Sequence, residues 1–242
     1  MQINADHGRL LWIGWDRTET TVRNFFTEFG EARLAALRYV CSDMWKAYWN
    51  VLCEKATGAL NILDRFHIMS NMNKALDEVR REEARRLKED GKDPVLKHTR
   101  WCILKRVANL TTNQATTLCE LLTMNLKTVK AYLMKEDFHQ FWEYTYPANA
   151  GKFLDGWCRR VMGSRIEPMK KIARSLRAHR AWLLNWFAAK KKFASGIVER
   201  MNNKIKTTAR TSYGFGTQEV LQVALYHTLA DLPLPPVTHR FC

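Results

Sequence analysis

The chain has 242 residues, enough for one large domain or for one domain with a sizeable insertion. Its hydrophobic fraction of 46% is that of a folded protein, no apolar run reaches membrane-spanning length, and the opening MQINADHG is not a signal peptide. Lys plus Arg number 39 against 24 Asp plus Glu, a net charge of +15. Such an excess favours a polyanionic partner, because each phosphate neutralised by a cation releases condensed counterions. A basic protein that merely stays soluble is the bland alternative. The six cysteines are scattered singly with no Cys-x-x-Cys pair, so no zinc site of ordinary spacing is legible and most read as small core residues of a reducing compartment.

Taken in chain order, a turn at Asp6-His7-Gly8 precedes a β-prone run, Arg9 to Trp15. Thr18 to Phe29 has helical spacing, with Val22, Phe25, Phe26 and Phe29 on one face and Gly30 as the stop. Leu37–Cys41 reads as a short buried strand, Met44–Lys55 as a helix and Ala59–Leu63 as another short strand. This alternation predicts an α/β sheet.

After Phe66 the pattern turns helical: a long helix over Phe66–Asp90, interrupted by Gly91 and Pro94, then helices over Val95–Arg106, Gln114–Met124, Leu126–Lys135, Phe138–Tyr144, Ala150–Met162, Ile166–Lys192, Ile197–Arg210 and Thr217–Leu229. Pro233, Pro235 and Pro236 end regular structure. The expected organisation is an α/β part over 1–65, a mainly helical insertion over 66–194, a helical return over 195–232 and a tail over 233–242.

Two aspartates stand in like places. Asp43 follows the strand of 37–41 and Asp64 the strand of 59–63, each opening a helix. Polar groups past the carboxyl ends of strands line the functional crevice of α/β sheets, and adjacent strands about 4.8 Å apart would let two acids share a cation. Each aspartate alone reads more readily as an N-cap. His67 follows Asp64 by three positions and either faces the same crevice or is structural.

In SGIVERMNNKIKTTARTSYGFG, Glu199, Asn203, Lys206 and Arg210 fall along one helical face. An acid, an amide and two cations in one stripe suit a metal beside a phosphate backbone. A solvated helix face gives acids and bases together too, but paired asparagines are poor helix-interior residues without partners. Basic clusters recur at Arg80, Arg81, Arg85 and Arg86, at Lys170, Lys171, Arg174, Arg177 and Arg180, and at Lys190, Lys191 and Lys192, each a solvated face or a phosphate-tracking surface. Trp101, Trp142, Trp157, Trp182 and Trp186 read as core anchors.

The segments SDMWKAY, LDRFHIMSNMNKALDEVRREE and SGIVERMNNKIKTTARTSYGF, in this order, resemble the catalytic domain of insertion-sequence transposases of the DDE type, in particular the ISL-three group. The resemblance implies a ribonuclease-H-like core interrupted by a large helical insertion. It assigns Asp43 and Glu199 as catalytic, metal-binding acids, and Asp64 and His67 as site support. It gives DNA contacts to Asn203, Lys206 and Arg210, with Lys190, Lys191 and Lys192 as further candidates. It implies two Mg²⁺ or Mn²⁺ ions, DNA partners at element ends and target, a homodimer or higher assembly, and a bacterial cytoplasmic setting with no membrane partner.

One departure bears on activity. Family members carry a first catalytic aspartate on an opening strand, whereas residues 1–4 here match the family's second strand and Asp6 sits in the following turn. The sequence therefore reads as a truncated copy, a gene fragment or a product with a misassigned start, inactive alone. Two rivals stay open: a non-catalytic DNA-binding fragment or domesticated derivative, and a ribonuclease-H-like nuclease.

Overall fold

The computed structural model describes residues 2–4, 8–42, 45–191, 196–211, 214–230 and 232, with the side chains at 2–4, 46, 196–199, 202 and 211 outside that description. By its contacts the chain divides into two units, Met1–Asn61 with Lys192–Cys242, and Ile62–Lys191. No helix among the described residues is long and apolar enough to cross a membrane.

In the first unit, β1 (Gln2–Asn4) pairs antiparallel with β2 (Arg9–Trp12), with Ile3 opposite Leu10. α1 (Glu19–Phe29) starts where the Thr18 hydroxyl accepts the Thr21 N–H at 3.2 Å. It stops where Gly30, at φ +81°, donates back to Phe26, as the sequence pattern predicts. A short unpredicted helix, α2 (Glu31–Ala35), precedes β3 (Tyr39–Ser42), α3 (Lys46–Lys55) and β4 (Leu60–Leu63). β3 and β4 form a second two-stranded, parallel sheet. Val22, Phe25 and Phe26 of α1 pack with Val51 and Leu52 of α3, and Trp12, Val40 and Ala59 lean on that cluster. The α/β class is thus borne out.

β3 is not the buried strand expected. Its residues alternate between exposed and half-buried, because only the Val40 side meets the α1–α3 core. Cys41, Cys53 and Cys119 are likewise exposed, and only Cys102 and Cys158 among the described cysteines are interior.

The unit closes with α11 (Gly196–Thr211) and α12 (Gln218–Leu229). Met201, four residues ahead of Ile205 on one face, meets Leu10 of β2 and Leu225 and Leu229 of α12. Gly214, at φ +97°, makes the turn between the helices, a conformation open to glycine at little cost.

The second unit is helical. α4 (Arg65–Glu89) runs the length the sequence predicts, and the chain turns at Gly91. From there the boundaries depart. Val95–His98 form turns, and only α5 (Arg100–Leu104) of the predicted 95–106 segment is helical, because Pro94 ahead and the left-handed His98 (φ +61°) break the run. α6 (Thr112–Leu122) carries a capping box between Thr111 and Gln114. α7 (Lys127–His139) takes its first two backbone N–H groups to the Glu83 carboxylate of α4 at 2.8 and 2.7 Å. A 3₁₀ turn at Gln140–Glu143 leads to α8 (Pro147–Met162). The predicted single helix over 166–192 is two, α9 (Glu167–Ala178) and α10 (Arg180–Ala188). His179 breaks it, its ring Nδ1 lying 2.6 Å from the Ser175 carbonyl.

The core of this unit is aromatic. Phe138 lies 4.8 Å from Trp157, Phe141 stacks on Phe138 at 5.3 Å, and Trp142 meets Trp186 edge-on at 5.1 Å. Trp157 donates its indole N–H to the Met134 carbonyl at 2.9 Å, so its polar atom is satisfied at no exposure. Two predicted anchors depart: Trp101 is 51% exposed with the Arg100 guanidinium over its ring, and Trp182 is only half-buried. Lys135 is 2% exposed, its ammonium held by the Ile103 carbonyl at 2.8 Å and the Glu136 carboxylate at 2.9 Å.

Burial holds the imidazoles of His139 and His179 below their ordinary 6.5. The unfolded chain then binds protons that the folded unit refuses, so stability is complete above pH 6.5 and declines as pH falls through the window beneath it. The urea midpoint followed by tryptophan fluorescence should drop between pH 7.5 and 5.5, and a His139→Gln, His179→Gln variant should flatten that dependence. In the same assay, Trp157→Ala should cost about 3–5 kcal/mol.

Candidate functional site

The DRFH element at the head of α4 is built around Asp64, which is 6% exposed. One carboxylate oxygen accepts the Phe66 N–H at 2.9 Å and so caps the helix. The other lies 2.7 Å from Nδ1 of His67, which donates to it. Arg65, between them in sequence, stacks over Trp142 at 5.1 Å and Trp186 at 5.9 Å, and burial pushes its pKa down. The element is therefore a built corner: Asp64 orients His67 and starts the helix, while Arg65 anchors it to the aromatic core. With both oxygens of Asp64 engaged, this carboxylate suits a supporting place better than a cation-holding one.

Of the two acids assigned to catalysis, Asp43 lies outside the described residues; β3 ends at Ser42, directly before it. Glu199 is the fourth residue of α11, in its first turn as the sequence predicts, and its side chain lies outside the described ones. Among the described residues no three His, Cys, Asp or Glu side chains stand together as a metal-holding group. Carboxylate oxygens are the hard donors that Mg²⁺ and Mn²⁺ take, so the residue type at both positions fits such an ion.

The rest of the stripe is described. Asn203, Lys206 and Arg210 are all exposed, on the side of α11 away from Met201. Among the described residues, Lys206 and Arg210 have no ion-pair partner, and neither do Arg200 and Lys204 on the adjoining face.

The basic clusters of the helical unit behave otherwise. Asp77 draws Arg80 to 2.8 Å, Arg81 to 3.5 Å and Arg100 to 3.6 Å. Glu167 holds Arg174 at 2.7 Å and Lys170 at 3.7 Å. Arg180 grips Asp155 with two bonds of 2.9 Å, and the guanidinium holds that carboxyl below its usual range. Much of this charge is thus balanced within the unit.

The lysine run divides as well. Lys190 is exposed, and Lys192 lies outside the described residues. Lys191 caps its neighbours: its ammonium donates to the carbonyls of Trp142 at 2.8 Å and Glu143 at 3.3 Å and sits 5.4 Å from the Trp186 ring. Lys190 and Lys191 end α10 in left-handed conformations (φ +55° and +59°), with N–H groups returned to Phe187 and Trp186, the pairing of a Schellman cap with lysine where glycine is usual. The Lys191 anchor offsets that strain of roughly 1 kcal/mol per residue.

Arg200 and Lys204 were not singled out in the sequence. Their signal was available in the 100° offset of positions 200 and 204 from the Glu199 stripe, but it acquires meaning only once α12 supplies a facing wall.

Asp64→Ala should destabilise the chain by about 1 kcal/mol and Asp64→Asn by much less, since Asn caps as well as Asp. Lys191→Met should cost about 1 kcal/mol through its lost hydrogen bonds, whereas Lys206→Gln should stay within about 0.5 kcal/mol. Urea titration reads all four.

Comparison with known proteins agrees with the motifs. A family model described as transposase matches residues 1–225. The chain is 29% identical over 213 residues to the transposase for insertion sequence element IS1001 of Bordetella parapertussis, covering 87% of this chain and 52% of that protein. It is 26% identical over 262 aligned positions to the transposase for insertion sequence element IS1557 of Mycobacterium tuberculosis, covering 98% of this chain and 58% of that protein. The chain thus spans about half the length of the curated relatives it matches. No solved structure matches it significantly. On these grounds the chain belongs to the ISL-three family of DDE transposases.

Proposed function

We propose that this chain carries two of the three acids, Asp43 and Glu199, of a metal-dependent site that cleaves DNA strands at insertion-sequence ends and joins them to a target. The reading takes the β-strands with α1, α3, α11 and α12 as a ribonuclease-H-like core and Ile62–Lys191 as its helical insertion, close to the 66–194 span expected from the sequence. Its partners are then DNA ends and target DNA, acting in a homodimer or larger assembly in the bacterial cytoplasm.

The observation that carries it is α11. A helix whose first turn holds Glu199 presents Asn203, Lys206 and Arg210 to solvent, with no described acid paired to either cation. Unneutralised cations beside an acid suit a phosphodiester: the cations hold the backbone, Asn203 donates its amide N–H to a phosphate oxygen, and the acid remains for a divalent cation. When bound, two such ions activate the attacking oxygen and stabilise the leaving one. Asp43, following β3, would hold a cation together with Glu199. Asp64 and His67 would support the site without entering it. A non-catalytic DNA-binding protein is the second reading, which the same exposed cations favour.

Mn²⁺ binding followed by electron paramagnetic resonance separates the two. Asp43→Ala and Glu199→Ala should each weaken it, and both variants should retain duplex DNA binding. An unchanged Mn²⁺ affinity in either variant would sink the shared-site assignment and leave the binding-only reading.

A further inference from the structure

Beside the Glu199 stripe runs a groove of about 590 Å³ between α11 and α12. Arg200, Asn203, Lys204 and Thr207 line it from α11, and Thr228 and Leu229 from α12. Its floor is apolar, since Leu229 is buried in the cluster that joins the two helices to β2. Its rim is cationic, since Arg200 and Lys204 are exposed and have no ion-pair partner among the described residues.

The three lining threonines, Thr207, Thr208 and Thr228, are already engaged. Thr207 donates its hydroxyl proton to the Asn203 carbonyl at 3.0 Å, and Thr228 donates to Ala224 at 2.8 Å. The donors left for a ligand are the Arg200 guanidinium, the Lys204 ammonium and the Asn203 amide. That set is rich in donors and carries two positive charges with no described acid among the lining residues, which matches a phosphodiester backbone.

Position along the helix says which backbone. On a 3.6-residue period Arg200, Lys204 and Thr207 lie about 80° to 160° round α11 from Glu199 and Lys206, and Asn203 falls between the two faces. Asn203 alone belongs to both the stripe and the groove.

The geometry points to the α11–α12 groove as a second DNA subsite, holding the sugar–phosphate backbone of the strand next to the phosphate that faces Glu199, with Asn203 at the junction. This deepens the DNA-acting reading above and rests on it. Arg200 and Lys204 position the strand; they take no part in bond breaking.

Fluorescence anisotropy of the unaltered chain and of Arg200→Gln, Lys204→Gln with a labelled oligonucleotide, across 50 to 200 mM salt, tests it. Each lost phosphate contact lowers the slope of log affinity against log salt by about 0.9 on duplex and about 0.7 on a single strand. The double variant should therefore lose about twelvefold less duplex affinity over that range than the unaltered chain. Thr228→Glu, which puts a carboxylate into the groove from α12, should weaken binding several-fold. Val223→Glu adds the same charge at an exposed site outside the groove and should not. A wild-type slope in the double variant, or equal weakening by Thr228→Glu and Val223→Glu, overturns the subsite. If the unaltered chain shows no salt-dependent DNA binding at all, the broader reading fails instead. Thermal melts of each variant, all at exposed positions, check that the fold is kept.

Discussion

The packing of Met201 against Leu10, Leu225 and Leu229 governs what this protein can present to a partner. A helix can turn any face to its core, and the sequence of α11 offers only one apolar stripe to turn. Once Met201 and Ile205 are seated on β2 and α12, Asn203, Lys206 and Arg210 have to face water. The same seating brings Leu229 under Arg200 and Lys204 and so makes a groove where a lone helix would have only a convex surface. Apolar contacts that bind no ligand thus fix where the charged groups stand.

Charge follows a second division. In the helical unit, carboxylates at Asp77, Asp155 and Glu167 are each engaged by one or more arginines, at 2.7–2.9 Å for the shortest contact of each; the exposed pairs at Asp155 and Glu167 contribute little to stability but lower the charge the unit shows. On α11 the described cations have no such partners. The net charge of +15 is therefore only partly offset by ion pairs, and on the helix that opens with Glu199 the described cations are left open to a partner. The lysines at 190 and 191 show how far a count of basic residues departs from a binding surface, since one of the two spends its ammonium on two backbone carbonyls.

Much of the element order was legible before any coordinates. The Thr18 and Gly30 boundaries of α1, the 25-residue α4 and the first-turn place of Glu199 follow from caps, glycine stops and a 3.6-residue period, which are local properties of the chain. The misreadings share one cause, that burial is a property of neighbours. β3 is apolar in sequence yet half-exposed because only one of its faces meets a helix layer, and Trp101 stands out of the core because α5 turns Cys102 and Ile103 inward instead. The break at His179 was hidden because residues on both sides of it keep helical spacing.

The amino-acid order alone determined the helix and strand sequence, the acids and cations worth attention and, through its motifs, the family. It could do so because capping, periodicity and motif identity are set by residues within a few positions of one another. Only the tertiary structure decided which cations are neutralised, that Asp64 is a cap shared with His67, and that Arg200 and Lys204 overlook a groove. Those outcomes depend on side chains brought together from distant parts of the chain, such as Leu10 with Leu229 and Trp142 with Lys191, and no local pattern encodes that meeting.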